Sequence, residues 1–393
     1  MTDRRPQLDL VLVGGTVVDP DGDETYRADV GIADGKIAAI ERQGGKLRGA
    51  RSVDCAGKLV TPGLVDSHVH VYEHVSPGSL HADDIGVRQA VCAVVDAGSF
   101  GPHNARGFQE YVVKPSATKV FGLCNISRNG NSTNPGEGEV LGFLKPEATG
   151  QTVEQHRDWV VGVKARASVT AAGLLGATSV RLAKVAAREA GVRLMVHIGN
   201  GPPTLEEVCA VLTAGDLITH CFHGKVGGSV TRQGAILPAV AAAVERGVLL
   251  DVGHGSASFA WATAERALQL GYRPHVISTD LHRGCVNGPT YSLVKTMSKF
   301  LHLGMSLVEV VRAASPAPAR ALGIGERFGK VGVGFPANLS VLELVDRTET
   351  MWDVEKQSRE VRGVIEARYT VLDGKLHEAL PDATAPERQP VTA

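Results

Sequence analysis

Leu59-Val-Thr-Pro-Gly-Leu-Val-Asp-Ser-His-Val-His70 is an apolar run, broken once at Pro62-Gly63, that ends in two histidines. On an extended strand, residues i and i+2 point to the same side, so His68 and His70 present their imidazoles together. A pair of imidazoles at the open end of a buried strand is a bidentate site for a borderline-soft divalent ion such as zinc. His-x-His is also a common accident of sequence, and two unrelated polar residues at a strand end would look the same. What surrounds the pair has to separate the two readings.

Downstream, from Leu59 to Phe328, strand-like and helix-like segments alternate, which argues for a parallel sheet. Strands are predicted at 59–70, 90–99, 118–127, 160–167, 192–199, 216–224, 248–255 and 274–282, with helical segments such as Ser179–Gly191, Ala235–Gly247 and Ala260–Gly271 between them. Eight such units over about 270 residues match the (β/α)₈ TIM barrel. A doubly wound open sheet is the alternative, but no Gly-x-Gly-x-x-Gly follows the first strand.

Upstream the texture is short strands. Leu10–Val13 meets Gly14-Gly15, expected to turn, before Thr16–Val18; Asp29–Ile32 and Lys36–Ile40 flank Asp34-Gly35, a hairpin signal. The same texture returns at Asn338–Val345 and at Tyr369–Leu372, which turns at Asp373-Gly374. Neither end alone has enough strands to cover an apolar face, so a single small β-sandwich built from both termini is expected. The expected division is 1–58 and 329–380 for the sandwich, 59–328 for the barrel, and a polar, disordered tail at 381–393.

A barrel of this kind carries its site at the C-terminal ends of its strands. There the sequence places His68 and His70, Lys164 in the mostly apolar Val160–Ala167, His197, His220 and Asp280. Singly, each has an ordinary explanation. A strand-end histidine is usually a hydrogen-bonded core residue, Asp280 has a helix N-cap reading, and Lys164 could snorkel to solvent. Their joint appearance at five strand ends is what those explanations leave out.

On Val65-Asp-Ser-His-Val-His70, Val161-Gly-Val-Lys-Ala-Arg166, Val196-His-Ile-Gly199, Thr219-His-Cys-Phe-His-Gly224 and Ser278-Thr-Asp-Leu-His282, the chain resembles the amidohydrolase superfamily in its dihydroorotase-like and deacetylase-like metallohydrolase branch. The resemblance spans nearly all of residues 8–376. It implies two divalent metal ions, most often Zn²⁺: His68, His70 and Asp280 on the more buried ion, His197 and His220 on the second, and Lys164, carboxylated by CO2, bridging them. It also implies a metal-bridging hydroxide as nucleophile, with Asp280 accepting its proton and passing it to the leaving group. Burial that disfavours an ammonium makes carboxylation of Lys164 physically reasonable.

Other polar residues on the same rim are candidates for substrate contact or for orienting the ligands: His223, His254, His282, and Arg128 and Arg166, either of which could grip a carboxylate through two hydrogen bonds. Structural hydrogen bonds and surface ion pairs are the competing explanations. Cys221 and Cys285 lie near the site in sequence, but the His/Lys/Asp set already fills the expected coordination. The Gly/Asn-rich segment 128–139 is a long loop after the third strand, where specificity or a lid is usually located.

Bulk properties narrow the function further. With 393 residues, 43% hydrophobic and 21% charged, the chain has an ample core. A net charge of -1 gives no electrostatic case for nucleic acid or anionic membrane as partner. No apolar run is long enough to span a bilayer, and the first ten residues lack a signal-peptide core. Six scattered cysteines without a Cys-x-x-Cys pair fit reduced thiols in the cytoplasm. Taken with the resemblance, the expectation is a cytoplasmic hydrolase acting on a small molecule and assembling as a homo-oligomer. By the resemblance, deacetylation of an acyl-amino or acyl-hydroxy acid is favoured; a cyclic-amide hydrolase of the dihydroorotase or hydantoinase kind is the nearest alternative. A non-catalytic barrel subunit, and a lyase or deaminase on the same scaffold, stand behind these.

Overall fold

Pro62-Gly63 divides the stretch Leu59–His70 between two sheets. The computed structural model describes residues 7–133, 136–226 and 229–380. Five strands come first: Leu8–Asp19 (β1), Glu24–Ala33 (β2), Lys36–Arg42 (β3), Gly49–Asp54 (β4) and Leu59–Pro62 (β5). The hairpin at Asp34-Gly35 forms as expected, with φ of 51° and 72° at its two central residues. Gly14-Gly15 does not turn the chain. β1 runs straight through it, with a register shift between Leu12 and Gly15 where β1 pairs with β2. Gly14 supplies the positive φ of 68°, and a side chain at Gly15 would come within 2.7 Å of Val60 on the neighbouring β5.

At Gly63 the chain crosses from one sheet to the other. Its N–H donates to the carbonyl of Asn338, and an added Cβ would lie 2.7 Å from the Cys92 sulfur, so only glycine passes here. Leu64–Val69 (β6) then opens a parallel sheet continued by Val91–Asp96 (β7), Lys119–Asn125 (β8), Val160–Ala167 (β9), Arg193–Ile198 (β10) and Leu217–Thr219 (β11). After a two-stranded ribbon, Thr231–Arg232 (β12) and Ala235–Ile236 (β13), Leu249–Asp251 (β14) completes it. The order β14-β11-β10-β9-β8-β7-β6 places consecutive strands side by side in a curled sheet. The segment expected as an eighth strand, 274–282, is not a regular strand: it makes single parallel bridges, Val276 to Asp251 at one sheet edge and Leu281 to Val69 at the other.

Several predicted strands are shorter than expected, for one reason. His220 and Asp280 have φ of 72° and 51°, and Gly253 has 45°, so the backbone leaves the extended region just where the polar residues begin. The segments 216–224 and 248–255 thereby shrink to β11 and β14. Helices occupy Thr178–Glu189, Pro238–Glu245 and Trp261–Gln269. In the segment 235–247 the first two residues belong to β13, and the helix starts at Pro238, whose missing N–H costs nothing in a first turn.

The chain returns to the first sheet through Leu339–Trp352 (β15), Ser358–Leu372 (β16) and Lys375–Glu378 (β17). β15 pairs antiparallel with β5, giving one eight-stranded network of order β17-β16-β15-β5-β1-β2-β3, with β4 on β1. Both chain ends thus build one sheet. β15 and β16 are far longer than their predicted parts and run beside the helix Leu293–His302, where the Ile365 N–H donates to Ser298 Oγ at 2.9 Å. The tail 381–393, expected to be disordered, lies outside the described residues. Among the described residues, no single helix is long and apolar enough to cross a membrane.

All six cysteines are buried and unpaired. Burial pushes the thiols of Cys55 and Cys209 up to about 11 and those of Cys92 and Cys285 up to about 12, and raises Cys124 and Cys221 as well. Because the thiolate is the reactive form, native protein at neutral pH should release no rapid absorbance with a thiol-exchange reagent and six equivalents in denaturant. A fast-reacting native thiol would contradict the packing.

Candidate metal centre

Six side chains picked out at strand ends meet in one place. His68 Nε2 and His70 Nε2 lie 3.3 and 3.1 Å from Asp280 Oδ1, and Lys164 Nζ lies 3.1 Å from His68 Nε2. His220 joins His68 and Asp280 in a cluster whose donor atoms are all within 4.8 Å of one another. The His197 ring stands edge-on to that of His220, with centroids 4.4 Å apart. Two of these residues, His220 and Asp280, adopt the left-handed backbone that non-glycine residues seldom take, a strain of the kind that collects at functional sites.

Three of the four imidazoles are aimed by their other nitrogen. His68 Nδ1 is 2.8 Å from Thr219 Oγ1, His70 Nδ1 is 2.8 Å from Ser99 Oγ, and His220 Nδ1 donates to the Gly253 carbonyl at 2.6 Å. With Nδ1 engaged outside, Nε2 faces the cluster, the arrangement that metal-binding histidines take. Behind His68, Asp251 receives a hydrogen bond from Ser278 at 2.6 Å, while its other oxygen is buried without a hydrogen-bond partner among the described residues, 3.8 Å from His68 Nδ1. Asp66 receives the Thr279 hydroxyl at 2.5 Å, and Asp96 the N–H groups of Val71 and Ser99. Glycines make the room: a Cβ at Gly255 would meet Asp280 Oδ2 at 2.4 Å, and one at Gly98 would meet Lys164 Cγ at 2.9 Å.

The electrostatics suit cation binding. Burial, reinforced by neighbouring positive charge, pushes His68, His197 and His220 well below the usual imidazole value, so at neutral pH they are the neutral form that binds metals. Burial lowers Lys164 to about 8. Burial alone would raise Asp280, but His68, the hydrogen bond from His70 and His220 outweigh it and hold the carboxyl well below its ordinary range. Asp66 is pushed up to about 7 by burial. A neutral imidazole set, an ionised carboxylate and a lysine near its neutral form are a donor set that a divalent cation fits.

The weaker candidates separate. Arg166 forms an ion pair with the buried Glu137 at 3.1 Å and acts electrostatically on Lys164 and His197. His282 stands with its ring 6.5 Å from that of His70, its Nδ1 taking the Gly284 N–H. His223 is buried, its Nδ1 accepting from the Lys225 N–H. Arg128 is stacked on Phe143, its guanidinium carbon 4.1 Å from the ring centre. His254 has both nitrogens engaged away from the cluster, with Gly255 O and Thr290 on one side and Lys299 on the other. Cys285 donates to the carbonyl of Asp280, and no cysteine is in the donor cluster. The long loop reaches the site twice, through Asn131 at 3.4 Å from His70 Nδ1 and through Glu137; Asn134 and Pro135 within it lie outside the described residues.

Sequence reasoning missed Thr219, Ser99, Asp251, Asp66 and Lys225, a half-buried lysine within the electrostatic reach of Asp280 and Arg166. Asp66 did carry a signal, since it shares a strand face with His68 and His70.

Residues 140–375 match the model of the amidohydrolase family. A deacetylase of Agrobacterium fabrum is 33% identical over 341 residues, covering 86% of this chain and 84% of its own. A crystal structure of an adenine deaminase superposes with a TM-score of 0.88 at 32% identity over 95% of this chain and all of that one. A crystal structure of a dihydroorotase gives 0.87 at 31% identity, over 95% and 99%. With the matched residues covering more than half its length, and the strand-end histidines gathered around Asp280, the chain belongs to the amidohydrolase family.

Proposed function

We propose that the protein is a binuclear metal-dependent hydrolase that removes an acyl group, acetyl above all, from an acyl-amino or acyl-hydroxy acid. The observation carrying this is the gathering of imidazoles around an ionised, largely enclosed Asp280, with His68, His70 and His220 each tied behind to a fixed partner. The deacetylase relative supports the linear acyl substrate. In this reading the curled sheet is a (β/α)₈ barrel whose eighth strand is the Val276–Leu281 segment, and the eight-stranded network is a two-ended β-sandwich. The single bridges at both sheet edges and the solved relatives support it. Six unpaired thiols support a reducing compartment, the cytoplasm.

His68, His70 and Asp280 would hold one ion, His197 and His220 the other, with Lys164, as its carbamate, between them; Zn²⁺ suits the imidazole and carboxylate donors. When bound, the ions supply an acidified water and polarise the scissile carbonyl. The chain's own part is positional and acid–base. Asp280, held ionised, would take up the proton released in the attack and deliver it to the departing amine or alkoxide. Arg166 and Lys225 place positive charge beside the centre, where a substrate carboxylate would be held.

Cyclic-amide hydrolysis is the second reading, favoured by the dihydroorotase structure. The test is elemental analysis of protein grown with zinc, followed by assays on N-acetyl amino acids, acetylated hydroxy acids, dihydroorotate, hydantoins and adenine. About two ions per chain and turnover of linear acyl compounds alone are expected. Turnover only of the ring compounds would transfer the assignment, and one ion or none would end the binuclear reading.

A further inference from the structure

Lys299, on the helix Leu293–His302, is completely buried and spends its three ammonium protons on three acceptors that are not carboxylates. His254 Nε2 lies at 2.7 Å, the Pro289 carbonyl at 3.1 Å and the Trp352 carbonyl at 2.6 Å. Donors and acceptors match one for one. Burying an ammonium is costly even with the Asp353 carboxylate in electrostatic reach, and an apolar side chain would fill the same space without that cost. What the position gains from lysine is a rigid junction between three segments: the loop after β14, the loop at Pro289, and the end of β15.

His254 is clamped on its other sides too. Its Nδ1 is 3.0 Å from Gly255 O and 2.9 Å from Thr290 Oγ1, and its ring stacks on Phe259 with centroids 4.6 Å apart. The far end of the junction is equally fixed, since Asp353 Oδ2 receives the Trp261 N–H at 2.9 Å. His254 sits between two glycines that touch the metal centre. The Gly253 carbonyl is the acceptor that sets the tautomer of His220, and Gly255 backs onto Asp280, where a Cβ would be 2.4 Å from Oδ2. A shift of His254 moves both.

Resting on the metal-hydrolase reading above, we propose that Lys299 is a positioning residue for the metal centre: through His254 it holds the Gly253–His254–Gly255 segment that aims His220 and shapes the space of Asp280. It touches neither substrate nor ion. Partners behind a metal ligand characteristically change metal affinity or activity 10–100-fold when removed, and a misplacement of about 1 Å in a catalytic group is enough for a loss of that order.

The experiment compares the full-length metal-loaded protein with Lys299→Met, His254→Phe, the double variant, and Lys295→Met. Lys295 is a buried lysine one turn earlier on the same helix that pairs with Glu349 of β15 at 2.6 Å, and so controls for loss of a buried ammonium. Measured for each are kcat and KM on the best acyl substrate, zinc affinity by competition with a chromogenic chelator, and Tm. Lys299→Met should lower kcat or weaken zinc binding roughly 10–100-fold, with KM little changed. The double variant should be no worse than His254→Phe, because the two act in series. Lys295→Met should lower Tm alone.

A Lys299→Met variant that loses Tm but keeps wild-type kcat, KM and zinc affinity overturns the proposal, and so do additive effects of Lys299 and His254. Wild-type protein that binds zinc but turns over no acyl compound removes the deacetylase reading, while the zinc affinities still decide the role of Lys299. Wild-type protein that binds no zinc removes both.

Discussion

Asp280→Asn should lower turnover by ~10²-fold or more, the usual scale for losing general acid–base help, while leaving a folded protein with metal still bound. The substitution is close to isosteric and keeps one carbonyl oxygen where His68 and His70 now reach Oδ1, at 3.3 and 3.1 Å. The backbone around it is held from several sides. The Asp280 N–H donates to the His68 carbonyl at 2.6 Å, and its own carbonyl receives the Cys285 thiol. What the amide lacks is a site that takes up a proton. Asp280 is suited to that work because the neighbouring histidines keep it ionised in a site where burial would otherwise favour the acid. The glutamate variant offers the same chemistry but no room, since Gly255 already backs onto Oδ2. The measurement is kcat alongside metal content for both variants. Near-normal turnover in Asp280→Asn would take the proton-shuttle role away from this residue.

The site was legible in the sequence to the extent that it rests on local geometry. His68 and His70 follow from the two-residue period of a strand, and Lys164, His197 and His220 from their places at strand ends. The side chains behind them were not legible, because they depend on which strands become neighbours. Thr279 reaches Asp66 across 213 residues, and Thr219 reaches His68 across 151. Asp251 was passed over because the seventh strand was read on to 255, and the left-handed turn at Gly253 that ends it early has no unambiguous signal. Lys299 is a different case. On an amphipathic helix a lysine ordinarily marks the solvent face, and only the long β15–β16 hairpin lying over this helix makes it a buried one. The same hairpin explains why the strands near the C-terminus were underestimated. From Asp346 to Thr350, β15 alternates exposed and partly buried positions without an apolar residue, which reads as loop.

Lys164→Ala should lose metal and activity together. The lysine is fully buried on β9, flanked by Val163 and Ala165, with Nζ 3.1 Å from His68 Nε2 and 3.7 Å from the Met195 sulfur. An ammonium there would stand among the atoms expected to bind cations, and burial already lowers its pKa to about 8, so a neutral amine able to add CO2 is accessible near neutral pH. As a carbamate the side chain would contribute two anionic oxygens to the centre; as an ordinary lysine it would contribute repulsion. The two states therefore predict opposite outcomes for the same deletion. Removing a carbamate strips ligands and empties the site, whereas removing a cation beside two cations leaves metal affinity unchanged or improved. Gly98, packed against the lysine stem, leaves a space in the alanine variant that a short acid can enter. Acetate or propionate should then restore part of the bound metal and part of the turnover. The deciding measurement is metal content and activity of Lys164→Ala with and without added short-chain acid, and full metal occupancy with wild-type turnover in the untreated variant would exclude the bridging carbamate.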